Sequence, residues 1–284
     1  MGEIPGREGR RSDQYDDDEG GEPPTRAHNR TIGLATPSVQ FNVTDGSSVG
    51  VVKRVSTKVG AVASRGADPF DVEAARYDEW YDTPKGRATF DDEVAALAPL
   101  WPPAQPRLEV GVGSGRFARA LGVEYGIDPA VGALALAARR GVRVVAGRAE
   151  ELPFAAGRFA AVLFVVSLCF VADPERALLE ARRVLAPGGR VVVGTVPRDS
   201  ELGGRYAQLA REGHAFYSRA TFLSVADHLG LLEGAGLSIV DARSALLAGH
   251  RAPDSPSREG IVPGAGFVAL AGEGPQSEGW RVGE

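Results

Sequence analysis

The chain has 284 residues, a formal net charge of -5 at pH 7 and 43% hydrophobic residues, which is typical of a protein with one buried core and room for an appendage. Its acidic balance argues against broad electrostatic binding to nucleic acid, and its one cysteine, Cys169, excludes an internal disulfide. No apolar run approaches the roughly 18 residues of a membrane-spanning helix, so we expect a cytoplasmic protein without membrane association. The four histidines show no metal-ligand spacing, so we expect no metal site.

Residues 1–68 differ in composition from the rest of the chain. They begin with a polar, Gly-, Arg- and acid-rich segment that has too few apolar groups to offset the entropy of ordering. Ser38–Val43 alternates like a strand and Val51–Val62 is β-branched, so a hairpin and a loosely ordered extension both remain open. We predict a disordered or loosely ordered extension over 1–68, one folded domain over 69–272 and a flexible tail over 273–284.

The folded part is predicted to begin with two helices. Phe70, Tyr77, Trp80 and Tyr81 recur at helical spacing with acidic and small residues between them, which places the aromatic side chains on one face. For Phe70 and Trp80 we expect these rings to dock the helix on the core. A second helix is predicted over Phe90–Leu100, because two prolines follow shortly after it.

A strand, a glycine loop and a helix are predicted over Leu108–Phe117. Gly111, Gly113 and Gly115 interrupt an apolar, β-prone run, and glycine both tolerates positive φ and lets a ligand lie against the backbone. The following helix would direct its unpaired N–H groups toward that ligand. A dinucleotide fingerprint would need a third glycine where Arg116 stands, so the loop favours another nucleotide-like ligand.

The next predicted strand, Val123–Asp128, ends in an acid. Asp128 lies 19 residues after Glu109, close to where a nucleotide-binding βαβ unit places the carboxylate that accepts the ribose hydroxyls. Asp128 could also cap the helix predicted over Pro129–Arg140, and both roles are compatible. Gly141 is expected to end that helix.

The remainder of the chain alternates predicted strands and helices. The predicted strands are Val142–Ala146, Phe159–Val166, Arg190–Val196, Leu237–Ala242 and Gly266–Ala271. The predicted helices are one that Asp173 caps and that ends at Ala186, one within Gly203–Phe222, and one that a Ser224–Asp227 capping box opens. Gly249–Pro263 is predicted to be a polar loop.

Several motifs resemble one enzyme family. The glycine stretch has the pattern E-x-G-x-G-x-G from Glu109 onward and resembles the first motif of the class I S-adenosylmethionine (SAM)-dependent methyltransferases. Three more segments resemble that family's motifs in the same order: Phe70–Tyr81, Gly147–Phe154 and Asp173–Arg190. The chain is thereby identified as a member of the type 11 methyltransferases. "C-F-V-x-D-P" from Cys169 and "F-Y-x-x-A-x-F" from Phe216 resemble an uncharacterised prokaryotic subgroup of them.

The resemblance implies a fold, a cofactor and a set of cofactor contacts. The fold is a Rossmann-like, doubly wound α/β domain whose seven-stranded sheet is mostly parallel with an antiparallel C-terminal strand. SAM is the implied cofactor. The implied cofactor-binding residues are Tyr77, Glu109, Gly111, Gly113, Gly115, Asp128, Ala149, Glu150 and Val165. Arg148 stands where the family frequently has an aspartate that contacts adenine.

The predicted activity is transfer of the SAM methyl group to a small-molecule acceptor by in-line displacement. His214 and Tyr217 are candidates for a general base, because they lie in the segment that caps the substrate pocket in the family; the alternative is that they are surface residues of a mobile lid. Two other functions compete. A non-catalytic SAM-binding protein would use the same loop, whereas a nicotinamide-dependent oxidoreductase is disfavoured by Arg116.

Overall fold

The computed structural model describes residues 69–247 and 256–275. The predictions for residues 1–68 and 276–284, and part of the predicted loop Gly249–Pro263, lie outside the described residues. The helices are α1 (Pro69–Val72), α2 (Ala74–Trp80), α3 (Pro84–Leu97), α4 (Arg116–Leu121), α5 (Val131–Arg139), α6 (Pro174–Val184), α7 (Glu201–Arg211) and α8 (Val225–Gly234). The strands are β1 (Arg107–Val110), β2 (Tyr125–Asp128), β3 (Arg143–Ala146), β4 (Phe159–Val165), β5 (Leu185–Thr195), β6 (Ser238–Ala245), β7 (Ser257–Glu259) and β8 (Phe267–Glu273).

The strands form a single sheet in the order β3-β2-β1-β4-β5-β8-β6-β7. β1 to β5 pair in parallel, and β8 is antiparallel to both of its neighbours, β5 and β6. The carboxyl ends of β1, β2 and β4 therefore meet at one edge of the sheet, which is where ligands bind in folds of this kind.

Apolar side chains cover both faces of the sheet. Along β4, Val162 and Phe164 belong to a buried cluster shared with α6 and α8, whereas Leu163 and Val165 belong to a second cluster shared with α3, α4 and α5. Successive residues of a strand point to opposite faces, so the continuous apolar run of β4 needs helices on both sides. The predicted doubly wound α/β fold is confirmed.

The sheet has eight strands rather than the predicted seven. β7 lies inside the predicted loop Gly249–Pro263 and pairs antiparallel with β6, with Arg243 opposite Glu259. Its sequence, Ser-Arg-Glu, has no β-prone alternation. Pairing with the backbone groups that β6 would otherwise leave open at the sheet edge explains why so polar a segment is extended.

Several predicted element boundaries are wrong. α3 begins at Pro84 instead of Phe90, because the Thr83 hydroxyl accepts a hydrogen bond from Gly86 N at 3.0 Å and caps the helix. α6 ends at Val184 rather than Ala186, since Leu185 already pairs with β4. The predicted caps at Asp173 and at Ser224 with Asp227 are confirmed.

Within residues 69–247 and 256–275, we find no helix that is both long enough and apolar enough to cross a membrane.

Candidate functional site

The three glycines after β1 adopt positive φ angles of 73° at Gly111, 50° at Gly113 and 80° at Gly115. A Cβ on Gly111 would lie 2.4 Å from the Cβ of Ser167, and one on Gly115 would lie 2.9 Å from the backbone of Ala137. A Cβ on Gly113 would meet nothing within 4 Å. The outer two glycines thus permit close packing, and the open space lies at Gly113, beside the start of α4.

Asp128 ends β2 and lies next to that open space. Its Oδ2 accepts a hydrogen bond from Gly113 N at 2.9 Å, and its Oδ1 accepts one from Ala130 N at 2.8 Å. Ala130, not Asp128, is the N-cap of α5, so the predicted capping role is wrong. The carboxylate is instead anchored at the glycine loop, where the proposed ribose acceptor would have to be.

Glu109 is almost completely buried, with 2% of its surface exposed. Burial raises its pKa well above the usual value; a hydrogen bond from the backbone of Ala118 opposes this, and the charge of Asp128 raises the pKa further. Its Oε2 is buried and has no hydrogen-bond partner among the residues that the structure describes. A buried carboxylate oxygen without a partner needs a cation or a donor to offset its desolvation, so Glu109 is suited to a cationic group in the cradle.

The predicted adenine-binding segment, Gly147–Phe154, follows β3. Ala149 is buried, and the carboxylate of Glu150 accepts a hydrogen bond from Ala172 N at 3.1 Å and pairs with Arg148 at 3.2 Å. The Glu150 side chain is therefore occupied in tying this loop to the segment before α6. The Glu150 backbone carbonyl also accepts a hydrogen bond from Arg176 Nε at 3.3 Å, so both the side chain and the backbone of Glu150 hold this loop in place.

The end of β4 has an unusual backbone conformation. Val165 is buried at the last position of the strand, and the following Val166 has a φ of 47°. A positive φ is strained for a β-branched residue, and such strain collects at functional sites. A hydrogen bond from Val166 N to Gly194 O at 2.8 Å holds the turn in place.

An ion-pair network fastens α2 to the glycine loop. Asp78 receives hydrogen bonds from Arg116 at 2.7 and 3.0 Å and from Arg140 at 2.7 Å. Arg116 also pairs with Asp82 at 2.9 Å, and Arg140 donates to the carbonyl of Ser114 at 2.7 Å. Arg116 is the first residue of α4, and its long side chain, which counted against a dinucleotide site, thus joins α4 to α2.

Tyr77 projects from α2 into a group of aromatic rings. Its ring centroid lies 5.3 Å from that of Phe216, and Phe70 lies 4.8 Å from Phe170 and 5.0 Å from Phe216. We call Phe70, Tyr77, Phe170 and Phe216 the aromatic lid. Phe70 therefore contacts rings of other chain segments and not the main core, contrary to its predicted docking role.

A second group of aromatic residues adjoins the lid. Tyr81, the residue after α2, packs on the core through Phe90 and Phe117, a role expected for Phe70 and Trp80. Tyr206 of α7 stacks on Tyr217 at 4.3 Å. We call Tyr77, Tyr81, Tyr206 and Tyr217 the tyrosine cluster.

His214 and Tyr217 differ in their surroundings. Tyr217 is half-buried between Tyr206 and His214, whereas His214 is exposed. The His214 Nδ1 faces the backbone N–H groups of Phe216 and Tyr217 at 3.4 and 3.5 Å. His214 thus lies on the outer side of the stack, and only Tyr217 lies within the tyrosine cluster.

A buried acid that the sequence interpretation overlooked lies in α3. Glu93 is 5% exposed, and no described residue forms a hydrogen bond or an ion pair with it. Burial, followed by the charge of Asp92, raises its pKa to about 8. The signal in the sequence is an acid among the apolar positions Phe90, Val94 and Leu97, where the inward face of a helix is expected to be apolar.

A separate surface groove lies between α6 and α8. Its lining includes Glu175, Leu179, Arg198 and Asp227. None of the predicted site residues borders it, so the groove and the candidate site are distinct.

The comparisons with known proteins agree with one another. A family model described as "Methyltransferase domain" matches residues 108–193. An uncharacterised protein of Mycobacterium tuberculosis is 43% identical over 222 residues, 76% of this chain and 75% of the relative. A solved structure from Thermotoga maritima, named a SAM-dependent methyltransferase and "possible histamine N-methyltransferase", is 34% identical with a TM-score of 0.65, and the match covers 72% of this chain and 97% of that one. A demethylmenaquinone methyltransferase of Mycolicibacterium vanbaalenii is 50% identical over 66 residues, 23% of this chain and 29% of that enzyme.

Proposed function

This chain belongs to the SAM-dependent methyltransferases, and we propose that its domain over 69–272 methylates a small molecule held beneath the aromatic lid. The observation that carries the proposal is the open cradle at Gly113, beside which lie an anchored carboxylate, Asp128, and a buried carboxylate oxygen of Glu109 that no described residue hydrogen-bonds. Membership of this family leaves no support for the nicotinamide-dependent alternative.

The residues around the cradle fit the parts of SAM. We assign the ribose hydroxyls to Asp128, because two O–H donors suit a two-oxygen acceptor, and the positively charged amino group to the unpaired oxygen of Glu109. The glycine backbone from Gly111 to Gly115 would lie against the cofactor. Ala149, Glu150 and Val165 would border the adenosine, and Tyr77 would cover the methyl donor from the lid side.

SAM supplies a methyl group on a positively charged sulfur, whose departure needs no protonation. The protein therefore has to hold the acceptor in line with that methyl group and keep water away. The aromatic lid suits both tasks, because rings from the start of the domain, the end of β4 and the segment after α7 meet there.

A small acceptor agrees with what the two named relatives act on. One name specifies an amine and the other a demethylmenaquinone, both small molecules. The two names differ in the acceptor atom, and the demethylmenaquinone match covers only 23% of this chain. The net charge of -5 also disfavours a nucleic-acid acceptor, and we propose a cytoplasmic location.

The proposal is tested by binding and by turnover. We expect calorimetry to show that SAM and S-adenosylhomocysteine bind one site per chain, and NAD to show no binding. Incubation with tritiated SAM and a small-molecule extract should give a labelled product of low molecular mass. Tight SAM binding without any labelled small molecule would contradict the proposed function and favour the non-catalytic alternative.

We expect Gly113→Ala to weaken SAM binding by at least about tenfold, because the added Cβ would occupy the space in which the cofactor lies against the backbone. Gly141→Ala is the matched control, since Gly141 also has a positive φ, 88°, and also faces open space. Both variants carry similar backbone strain of about 1 kcal/mol, so their melting temperatures should fall together. Equal SAM affinity of the two variants by calorimetry would refute the placement of the cofactor at Gly113.

A further inference from the structure

Glu93 lies beside the tyrosine cluster, and none of the described residues forms an ion pair with it. It is close enough to Tyr77, Tyr81 and Tyr206 for its charge to raise the pKa of each of them. It is 5% exposed, and neither a Lys nor an Arg among the described residues pairs with it. Of the other buried acids, Asp78 pairs with Arg116 at 2.7 Å and Glu180 with Arg183 at 2.8 Å, whereas Glu109 is the acid that we assign to the amino group of SAM. A buried carboxyl without a cation is held in its neutral form, and a ligand that supplies a cation would allow Glu93 to ionise.

We propose that the methyl acceptor is a small primary or secondary amine, and that Glu93 binds its nitrogen and takes up its proton. This inference rests on the proposed function. An acceptor carrying a carboxylate or phosphate at this point would keep Glu93 protonated and would form no ion pair with it. An ammonium group instead pairs with the carboxylate and is attracted by the faces of the surrounding aromatic rings.

The transfer balances with Glu93 as the proton acceptor. The ammonium form of the acceptor gives one proton to the Glu93 carboxylate, which leaves a lone pair on nitrogen. That pair forms the new bond to the methyl carbon while the carbon–sulfur bond breaks and its electrons remain on sulfur. The products are a methylated ammonium, a neutral thioether and a protonated Glu93, which then returns its proton to water.

The other titratable groups around Glu93 do not compete for this role. Burial raises the pKa of Tyr81 and of Tyr206 well above the usual value, and it raises the pKa of the nearby Cys169 thiol to about 12. These groups stay protonated near neutrality. Asp92 lies next to Glu93 on α3 and raises its pKa. Glu93, with a pKa of about 8, is thus suited to exchange a proton at physiological pH.

The experiment measures binding and proton release with three probes of similar size. Protein saturated with S-adenosylhomocysteine is titrated in a calorimeter with 2-phenylethylamine, 2-phenylethanol or 3-phenylpropionate. Each titration is repeated in buffers of different ionisation enthalpy, because the dependence of the binding heat on the buffer gives the number of protons released. We expect the amine to bind at least about tenfold more tightly than the other two. At pH 7 its binding should release nearly one proton, because Glu93 is mostly protonated without the ligand and ionises beside the ammonium.

Glu93→Gln should remove both the preference for the amine and the proton release, with the affinity for S-adenosylhomocysteine unchanged. Asp91→Asn is the matched control, since it makes the same replacement of a carboxyl by an amide at an exposed position of α3 and should keep wild-type behaviour. Tyr206→Phe keeps the aromatic ring and leaves Glu93 in place, so this variant should retain the preference for the amine. If the Glu93→Gln variant does not fold, the preference and the proton release of the wild type still test the inference. No binding of the amine, equal binding of all three probes, or an unchanged preference in Glu93→Gln overturns the inference. Loss of S-adenosylhomocysteine binding in the wild type would instead count against the proposed function.

Discussion

Replacing Asp128 by Ala is expected to lower the affinity for SAM by at least about 100-fold. Hydrogen bonds to a charged group contribute roughly 1.5–3 kcal/mol each, and the proposed contact with the ribose has two of them. The carboxylate is already held at the glycine loop by Gly113 N at 2.9 Å and Ala130 N at 2.8 Å, so little ordering would be needed when the cofactor binds. Calorimetry with SAM and S-adenosylhomocysteine measures the change.

Asp173→Ala is the control for Asp128→Ala. Asp173 also accepts a backbone hydrogen bond at 2.9 Å, from Arg176 N, but as the cap of α6. Its replacement should cost about 1 kcal/mol of stability without changing the affinity for SAM. A SAM affinity that Asp128→Ala leaves at the wild-type value would show that Asp128 orders the loop and does not bind the ribose.

Asp78→Ala is expected to reduce the free energy of unfolding by about 2–4 kcal/mol, because it leaves Arg116 and Arg140 without their shared carboxylate. The Asp78 side chain is 12% exposed, which keeps its pairs from being screened by solvent as surface pairs are. Asp82→Ala also removes a partner of Arg116, but the Asp82 side chain is 59% exposed, so its loss should be much smaller. Urea unfolding of the two variants gives the comparison.

The effect of Asp78→Ala should depend on pH in one direction. Burial alone would raise the pKa of Asp78, but hydrogen bonds with Arg116, Ser114 and Arg140 outweigh it and lower the pKa below its usual value. The stabilising contribution of Asp78 is therefore complete above the pKa of the unfolded state, about 4, and is lost as the pH falls through the lower pKa of the folded state. The difference between wild type and variant should be constant near neutrality and shrink in acid. A difference that persists in strong acid would show that lost packing, not lost charge, causes it.

The same network has a consequence for the cofactor. Asp78 and Arg116 join α2, which carries Tyr77, to the first turn of α4. Asp71 reinforces this link by accepting a hydrogen bond from Gly132 N of α5 at 2.6 Å. The aromatic lid is therefore held over the glycine loop by contacts that do not involve the ligand, so Asp78→Ala should weaken SAM binding as well as stability.

The sequence by itself determined the fold class, the family and the order of most elements. The apolar run of β4 specifies a strand covered on both faces, and the glycines at alternate positions specify the loop, because local periodicity and backbone freedom act over a few residues. The caps at Asp173 and Ser224 are local for the same reason. The proposed cofactor contacts were named from such motifs and stay predictions until a ligand is bound.

Tertiary structure decided what depends on residues far apart in the chain. β7 exists because β6 offers it an open edge, Arg116 pairs with an aspartate 38 positions away, and Glu93 comes near Tyr206 of α7 only once the helices have packed. In the sequence, Glu93 is one acid in a helix; whether such a side chain is exposed to water or buried depends on its neighbours in the folded chain. Burial and electrostatic partners are properties of the folded chain, and here they turn an ordinary carboxyl into the group that we propose selects the methyl acceptor.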